Sequence, residues 1–189
     1  MKVERMALDG VMVLTPTRFG DPRGYFAENW NRQRFAESGI DARFVQDNES
    51  LSATAGTVRG LHYQAPPSAQ AKLVRVVAGA IRDIVVDVRK GSPTFGQWEA
   101  AELSAEAGNQ LYVPRGFLHG FVTLTPDVLV QYKVDAPYDA AADGAVAWND
   151  PDLGIDWGIA PEAATVSAKD SAAPAFRAWT SPFNRETPT

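Results

Sequence analysis

The chemistry open to this chain is narrowed by what it nearly lacks, for it carries two histidines and no cysteine. Thiol nucleophiles, iron–sulfur clusters, disulfides and structural zinc sites are excluded by that count. Two imidazoles, carboxylates, tyrosines, lysines and arginines remain, a set suited to proton transfer and to anion recognition. His62 lies in Arg59-Gly60-Leu61-His62-Tyr63-Gln64 and His119 in Pro114-Arg115-Gly116-Phe117-Leu118-His119-Gly120-Phe121. A histidine in a β-rich segment is more often a hydrogen-bonded structural residue than a catalyst. Both of these, however, sit among glycines, which let backbone approach a ligand closely. An imidazole with its ordinary pKa near ~6.5 can take up and release a proton at neutral pH.

The Pro-x-Gly-x-x-His spacing of 114–119 is also the second half of the metal signature of cupins. There the first half supplies His-x-His and a carboxylate. Here the corresponding positions read His62-Tyr63-Gln64, which leaves two imidazoles and no nearby acid, too few for the usual site. The pattern therefore supports the fold and argues for chemistry without a metal, and no cofactor is expected.

The elements that must position these residues are short. Thirteen prolines and fifteen glycines punctuate the chain. Runs at 73–77 and 81–89 are rich in Val and Ile, and Ala78-Gly79-Ala80 between them has hairpin spacing. Further strands are expected over 97–104, 109–114, 119–125, 128–135 and 145–149, with turns at Gly91-Ser92-Pro93, Gly108-Asn109, Pro114-Arg115-Gly116 and Thr125-Pro126-Asp127. One helix is expected at 31–38, opened by Asn31 as N-cap and stopped at Gly39. The tail from about Ala160 reads as loops and short helical turns laid over a sheet. The fold class is therefore all-β, an antiparallel sandwich or barrel with a few short peripheral helices. No repeat or linker divides it, so residues 1–189 are read as one domain.

Apolar content of 45% and charged content of 22% are those of a globular protein. A net charge of −5 argues against a nucleic-acid binder. The mixed charges of Met1 to Asp9 give no apolar export segment, and nothing is apolar for long enough to span a membrane. A cytoplasmic address is expected. Charge is uneven: residues 59–90 hold Arg59, Lys72, Arg75, Arg82, Arg89 and Lys90 against Asp83 and Asp87, a balance of +4, whereas 134–168 holds seven acids and no base. Solvated faces are the ordinary explanation of such runs. The sharper one is that some of the basic residues face inward toward an anionic ligand.

Several strings together resemble the dTDP-4-dehydrorhamnose 3,5-epimerase family. They are Asp21-Pro22-Arg23-Gly24-Tyr25-Phe26-Ala27-Glu28, Gln46-Asp47-Asn48-Glu49-Ser50, Thr57-Val58-Arg59-Gly60-Leu61-His62-Tyr63-Gln64, Lys72-Leu73-Val74, Gly91-Ser92-Pro93-Thr94-Phe95-Gly96, Pro114–Phe121 and Trp148-Asn149-Asp150-Pro151. The resemblance runs from about residue 13 to 176. It implies a cupin-type double-stranded β-helix (jelly roll), a homodimer, no metal, and a dTDP-linked 4-keto-6-deoxy sugar as substrate. It implies His62 as base with Asp170 as its partner, Tyr132 as acid on the opposite ring face, and Lys72 toward the keto oxygen. It places Tyr138 against the thymine, and Arg23, Glu28, Gln46, Asp47, Asn48, Arg59, His119, Asp143 and Lys169 around nucleotide and sugar. Asp143 stands where the family commonly has glutamate.

The residue types suit that reaction. Inverting a carbon beside a ketone needs a proton removed from one face and another delivered to the opposite face, with the charge held as an enolate between. Histidine suits the base, a carboxylate fixes its tautomer, a lysine can sit at the developing oxyanion, and a phenol with pKa near ~10 can donate to carbon. Taken singly, Tyr132 would be a face aromatic, Tyr138 a turn residue, Lys72 a solvated charge and Asp170 a loop residue. Three other readings stay open: an epimerase of one carbon only on a related keto sugar, a metal-dependent cupin enzyme, and a non-catalytic sugar-binding module.

Overall fold

The computed structural model describes residues 1–185. Apolar side chains recur at alternate positions between glycine and proline turns, and the chain folds accordingly into short antiparallel strands. The first six are β1 (Lys2–Arg5), β2 (Met12–Thr15), β3 (Arg18–Asp21), β4 (Gly24–Ala27), β5 (Gln46–Ser52) and β6 (Val58–Gln64), with helix α1 (Arg32–Glu37) before β5. They continue as β7 (Lys72–Ala78), β8 (Ala80–Asp87), β9 (Trp98–Ser104), β10 (Gln110–Val113), β11 (Phe117–Thr123), β12 (Val128–Val134) and β13 (Asp143–Ala145). Helix α2 (Ala168–Ser171) and two 3₁₀ turns, Pro161–Ala163 and Phe176–Ala178, follow. One sheet has the order β1-β2-β10-β7-β12-β5 and the other β13-β6-β11-β8-β9. Face to face they form the cupin-type jelly roll.

The sequence expectation missed β1 to β6 as strands, because that third of the chain is too polar and too interrupted to show a run of β-formers. The expected 145–149 strand is instead Asp143–Ala145. The helix matches: Asn31 accepts from the Arg34 amide at 3.2 Å, and Gly39 takes φ +93°. The expected hairpin at Ala78-Gly79-Ala80 is overturned. β7 pairs with β10 and β12, whereas β8 pairs with β11 and β9. The chain turns a corner there between sheets, and both strands find two partners, as near-continuous apolar runs require. Gly79 makes the corner with φ +77°, packed so closely on Thr125 and Val128 that a Cβ would collide with both.

Between the sheets, Val74, Val76, Val128 and Val130 meet Ile81, Val85, Leu103, Phe117 and Phe121. Each such side chain contributes about 1.5–3 kcal/mol on burial. The outer face of the five-stranded sheet, Ile84, Val86, Leu118 and Val122, is covered by Trp148, Leu153 and Trp157 and then by Val166, Phe176, Trp179 and Phe183 of the tail. The tail thus lies over a sheet as expected. Phe35, Ile40 and Ala42 cover Met12, Leu14 and Leu73 on the six-stranded sheet. Strands β3 and β4 form a separate two-stranded ribbon on which Phe19, Tyr25 and Phe26 are 59%, 60% and 70% exposed. No helix among the described residues is long and apolar enough to cross a membrane.

Candidate active site

The two-residue period of each strand decides which side chains enter the space between the sheets. On β7 the inward set is Lys72, Val74 and Val76; on β12 it is Val128, Val130 and Tyr132; on β11 it is Phe117, His119 and Phe121. β6 adds His62, which lies directly across from His119 in the ladder. The result is a cavity of about 410 Å³ walled by Arg59, His62, Lys72, His119, Tyr132, Lys169 and Asp170, with Val58, Val74, Phe121 and Val130 among its apolar lining. A second cavity of about 300 Å³ shares His62, Lys72 and Tyr132 and adds Gln46, Asn48, Tyr63, Gln64, Gln70, Tyr138 and Asp143.

His62 Nε2 lies 2.6 Å from Asp170 Oδ1. Asp170 comes from the far end of the sequence, on α2, whose N-cap Ser167 accepts from the Asp170 amide at 3.1 Å. Its carboxylate is 4% exposed and also accepts from the Gly60 amide at 3.3 Å. With Asp170 accepting from Nε2–H, the lone pair of a neutral His62 is on Nδ1. Burial lowers the His62 pKa from its ordinary value, against the upward pull of Asp170, so the ring is neutral and able to accept a proton at pH 7.

Burial brings the Lys72 ammonium down to about 8, with Asp83 and Asp143 opposing the shift. The group stays mostly cationic at neutral pH, poorly hydrated and available to a developing anion. Tyr132 moves the other way: burial raises its phenol above the ordinary value, so it remains a proton donor. Arg59 is tied down by donation to Ser52 Oγ at 3.1 Å and to the Leu51 carbonyl at 2.9 Å.

The mouth is a polar mesh. Gln46 donates to Asn48 Oδ1 at 2.7 Å and accepts from the Tyr138 amide at 2.9 Å. Asp143 accepts from the Tyr138 hydroxyl at 3.3 Å and from Lys169 Nζ. The shorter Asp143 therefore reaches both groups. Tyr138 itself is 60% exposed, open to stacking.

Three of the expected residues do not reach this cavity. Asp47 falls on the outward parity of β5, between Gln46 and Asn48, and pairs with Lys133 at 2.8 Å on the outer face. The strand period thus turns its side chain away from the cavity. Arg23 is at the tip of the β3–β4 ribbon, paired with Asp21 at 2.6 Å and almost fully exposed. Glu28 bonds Arg34 at 3.3 Å and Asn31 at 3.2 Å beside α1. Neither lines the cavity of its own chain. The inward-facing reading of the basic segment holds for Arg59 and Lys72 only. Arg82 reaches the Asp156 carbonyl at 3.0 Å outside, and Arg89 pairs with buried Asp87 at 2.7 Å.

At the position of the missing cupin ligand, the Gln64 amide bonds backbone instead, donating to the Pro137 carbonyl at 3.0 Å and accepting from the Asp139 amide at 2.9 Å. Among the described residues no group of three or more His, Cys, Asp or Glu side chains is placed to hold a metal ion. A buried carboxylate behind the cavity wall was not assigned from sequence. Asp83 is wholly buried, and His119 Nε2 lies 2.5 Å from its Oδ1. The signal was there: in Ile81-Arg82-Asp83-Ile84-Val85 a carboxylate shares the parity of two core residues.

Comparison with known proteins agrees with this geometry. The family model described as dTDP-4-dehydrorhamnose 3,5-epimerase matches residues 5–178. A curated dTDP-4-dehydrorhamnose 3,5-epimerase of Sinorhizobium fredii is 50% identical over 178 residues, covering 93% of this chain and 90% of the relative. The crystal structure of the Bacillus anthracis dTDP-4-dehydrorhamnose 3,5-epimerase with TDP and PPi bound is similar with TM-score 0.90 and 47% identity, covering 93% of this chain and 99% of that one. The Legionella pneumophila dTDP-6-deoxy-D-glucose-3,5-epimerase, in complex with dTDP-4-keto-L-rhamnose, is similar with TM-score 0.93 and 38% identity over 99% of both chains.

Proposed function

Because the chain belongs to the dTDP-4-dehydrorhamnose 3,5-epimerase family, we propose that it converts dTDP-4-keto-6-deoxy-D-glucose to dTDP-4-keto-L-rhamnose, the precursor of dTDP-L-rhamnose, by inverting C3 and C5. The observation that carries this reading is the convergence of a carboxylate-backed imidazole, a buried ammonium and a buried phenol on one cavity. His62 Nδ1 takes the proton from the carbon beside the ketone. The C–H electron pair moves into the ring to form the enolate, whose oxygen Lys72 meets with its positive charge. Such a donor in a site shielded from water lowers the barrier by several kcal/mol, about 3 by analogy with oxyanion-hole removal. Tyr132 then delivers its phenolic proton to the opposite face of the carbon, the ketone re-forms, and solvent returns a proton to the phenolate and removes one from the imidazolium. The same cycle at the second carbon completes the product.

Recognition of the rest of the substrate follows from chemistry and position. Arg59 and Lys169 supply cations for the diphosphate, Tyr138 a face for the base, and Gln46, Asn48 and Asp143 polar contacts at the mouth. We assign residues 1–189 to one catalytic domain with a cytoplasmic address. Arg23 and Glu28, far from their own cavity, fit the expected homodimer, in which the ribbon bearing exposed Phe19, Tyr25 and Phe26 serves a second copy. A monomer by light scattering at micromolar protein would overturn that part.

The test of the reaction is proton NMR of the keto sugar nucleotide in deuterated water with purified protein. The expected result is exchange at both C3 and C5 with formation of the L-sugar. Exchange at one carbon alone would identify a single-position epimerase, and none at either would leave a binding module. Activity lost on exhaustive chelation and restored by a metal ion would establish a metal-dependent enzyme.

A further inference from the structure

We propose that Asp83 is a positioning residue of this site: it holds His119 as a second carboxylate-backed imidazole of the cavity. The inference rests on the epimerase reading above. Asp83 lies on β8 with its neighbours of like parity, Ile81 and Val85, in the core, and its side chain is 0% exposed. A valine there would complete an apolar strand, whereas a buried carboxylate is destabilising unless something compensates it. What compensates Asp83 is not a structural arginine. Oδ1 engages His119 Nε2 at 2.5 Å, and Oδ2 has no hydrogen-bond partner.

The two histidines are thus built alike. They are cross-strand partners on β6 and β11, and each turns Nε2 to a buried carboxylate on a different element, Asp170 on α2 and Asp83 on β8. As acceptor, Asp83 fixes the proton on Nε2 of His119 and leaves Nδ1 as the ring nitrogen free to meet a ligand. Lys72 lies on β7 of the other sheet, within the electrostatic reach of Asp83. Also about it are Asp143 on β13, His62 on β6, His119 on β11, Tyr132 on β12 and Lys169 on α2. Of the carboxylates, Asp83 opposes the effect of burial on Lys72 most, ahead of Asp143. Removing the charge but not the shape of Asp83 therefore affects both groups at once.

Asp83→Asn is the direct test. kcat is expected to fall about 10- to 100-fold, with KM for the keto sugar nucleotide within about threefold of the unaltered protein. The alkaline limb of the kcat profile should move to lower pH, as Lys72 loses its proton more easily. Adding Asp83→Asn to His119→Gln should slow the enzyme by a smaller factor than Asp83→Asn slows the unaltered protein, since part of the effect of Asp83 runs through His119. A variant with unchanged kcat and limbs, or strict additivity in the pair, overturns the proposal. A measurement on the unaltered protein does not depend on that variant folding. Nitrogen NMR of its two imidazoles should find the proton of the neutral His119 ring on Nε2, and an unprotonated Nε2 overturns the proposal. Failure of the epimerase reading shows separately, as absence of deuterium exchange by the unaltered protein.

Discussion

Replacing Asp170 by Asn isolates what the carboxylate behind His62 contributes. The substitution keeps the shape of a side chain that is 4% exposed, and the α2 cap remains because Ser167 bonds the Asp170 backbone amide. What is lost is one charge-assisted hydrogen bond of 2.6 Å. Such a bond is worth about 1.5–3 kcal/mol, which at 1.36 kcal/mol per decade is about 10- to 150-fold in rate. A second loss adds to it. An Asn amide can donate to Nε2, placing the ring proton on Nδ1, where the lone pair of the base must be; the same exchange in a serine-protease triad costs about 10⁴ in kcat. The expected fall in kcat is accordingly about 10²- to 10⁴-fold. The sign of the pH effect is fixed as well. Burial lowers the His62 pKa and Asp170 raises it, so without the carboxylate the acid limb moves to lower pH. The assay is the rate of loss of the C3 and C5 proton signals in deuterated buffer, followed across pH. A rate within about threefold of the unaltered protein, or an acid limb displaced upward, would refute the reasoning.

Other outcomes follow from the same geometry. The unaltered protein should show a bell-shaped kcat profile, falling on the acid side as His62 protonates below its ordinary value of ~6.5 and on the alkaline side near the Lys72 value of about 8; activity sustained well above that point would remove Lys72 from the oxyanion role. Lys72→Met should lower kcat by about 10²- to 10³-fold, checked by steady-state kinetics at neutral pH. Tyr132→Phe should keep wash-out of the substrate proton while losing inverted product, seen as deuterium incorporation with retained configuration. Gly79→Val should destabilise the fold by about 2 kcal/mol or more, because it puts a branched side chain at φ +77° against Thr125 and Val128; an unchanged denaturant midpoint would contradict the corner packing.

Some of this protein was fixed by residue order alone. Two histidines without a cysteine, each among glycines, restricted the chemistry to proton transfer and binding. Strings such as Arg59-Gly60-Leu61-His62 and Pro114–Phe121 identified fold and family, because backbone turns and ligand-facing side chains require particular residues at fixed local spacing. Tertiary structure decided what no local pattern encodes. Pairing placed β7 and β8 in different sheets although their connection has hairpin length, since two apolar strands each gain two partners that way. Strand parity sent Asp47 outward while Gln46 and Asn48 turned in. The polar N-terminal third became strands through pairing: β2, β5 and β6 on later strands, β1 on β2, and β3 with β4. Asp170, 108 residues from His62, and Asp83, in the middle of an apolar run, took their roles from the closing of the barrel. Sequence specifies side-chain types and local turns; which carboxylate meets which imidazole depends on distances between strands far apart in the chain, and only the folded sheets set those.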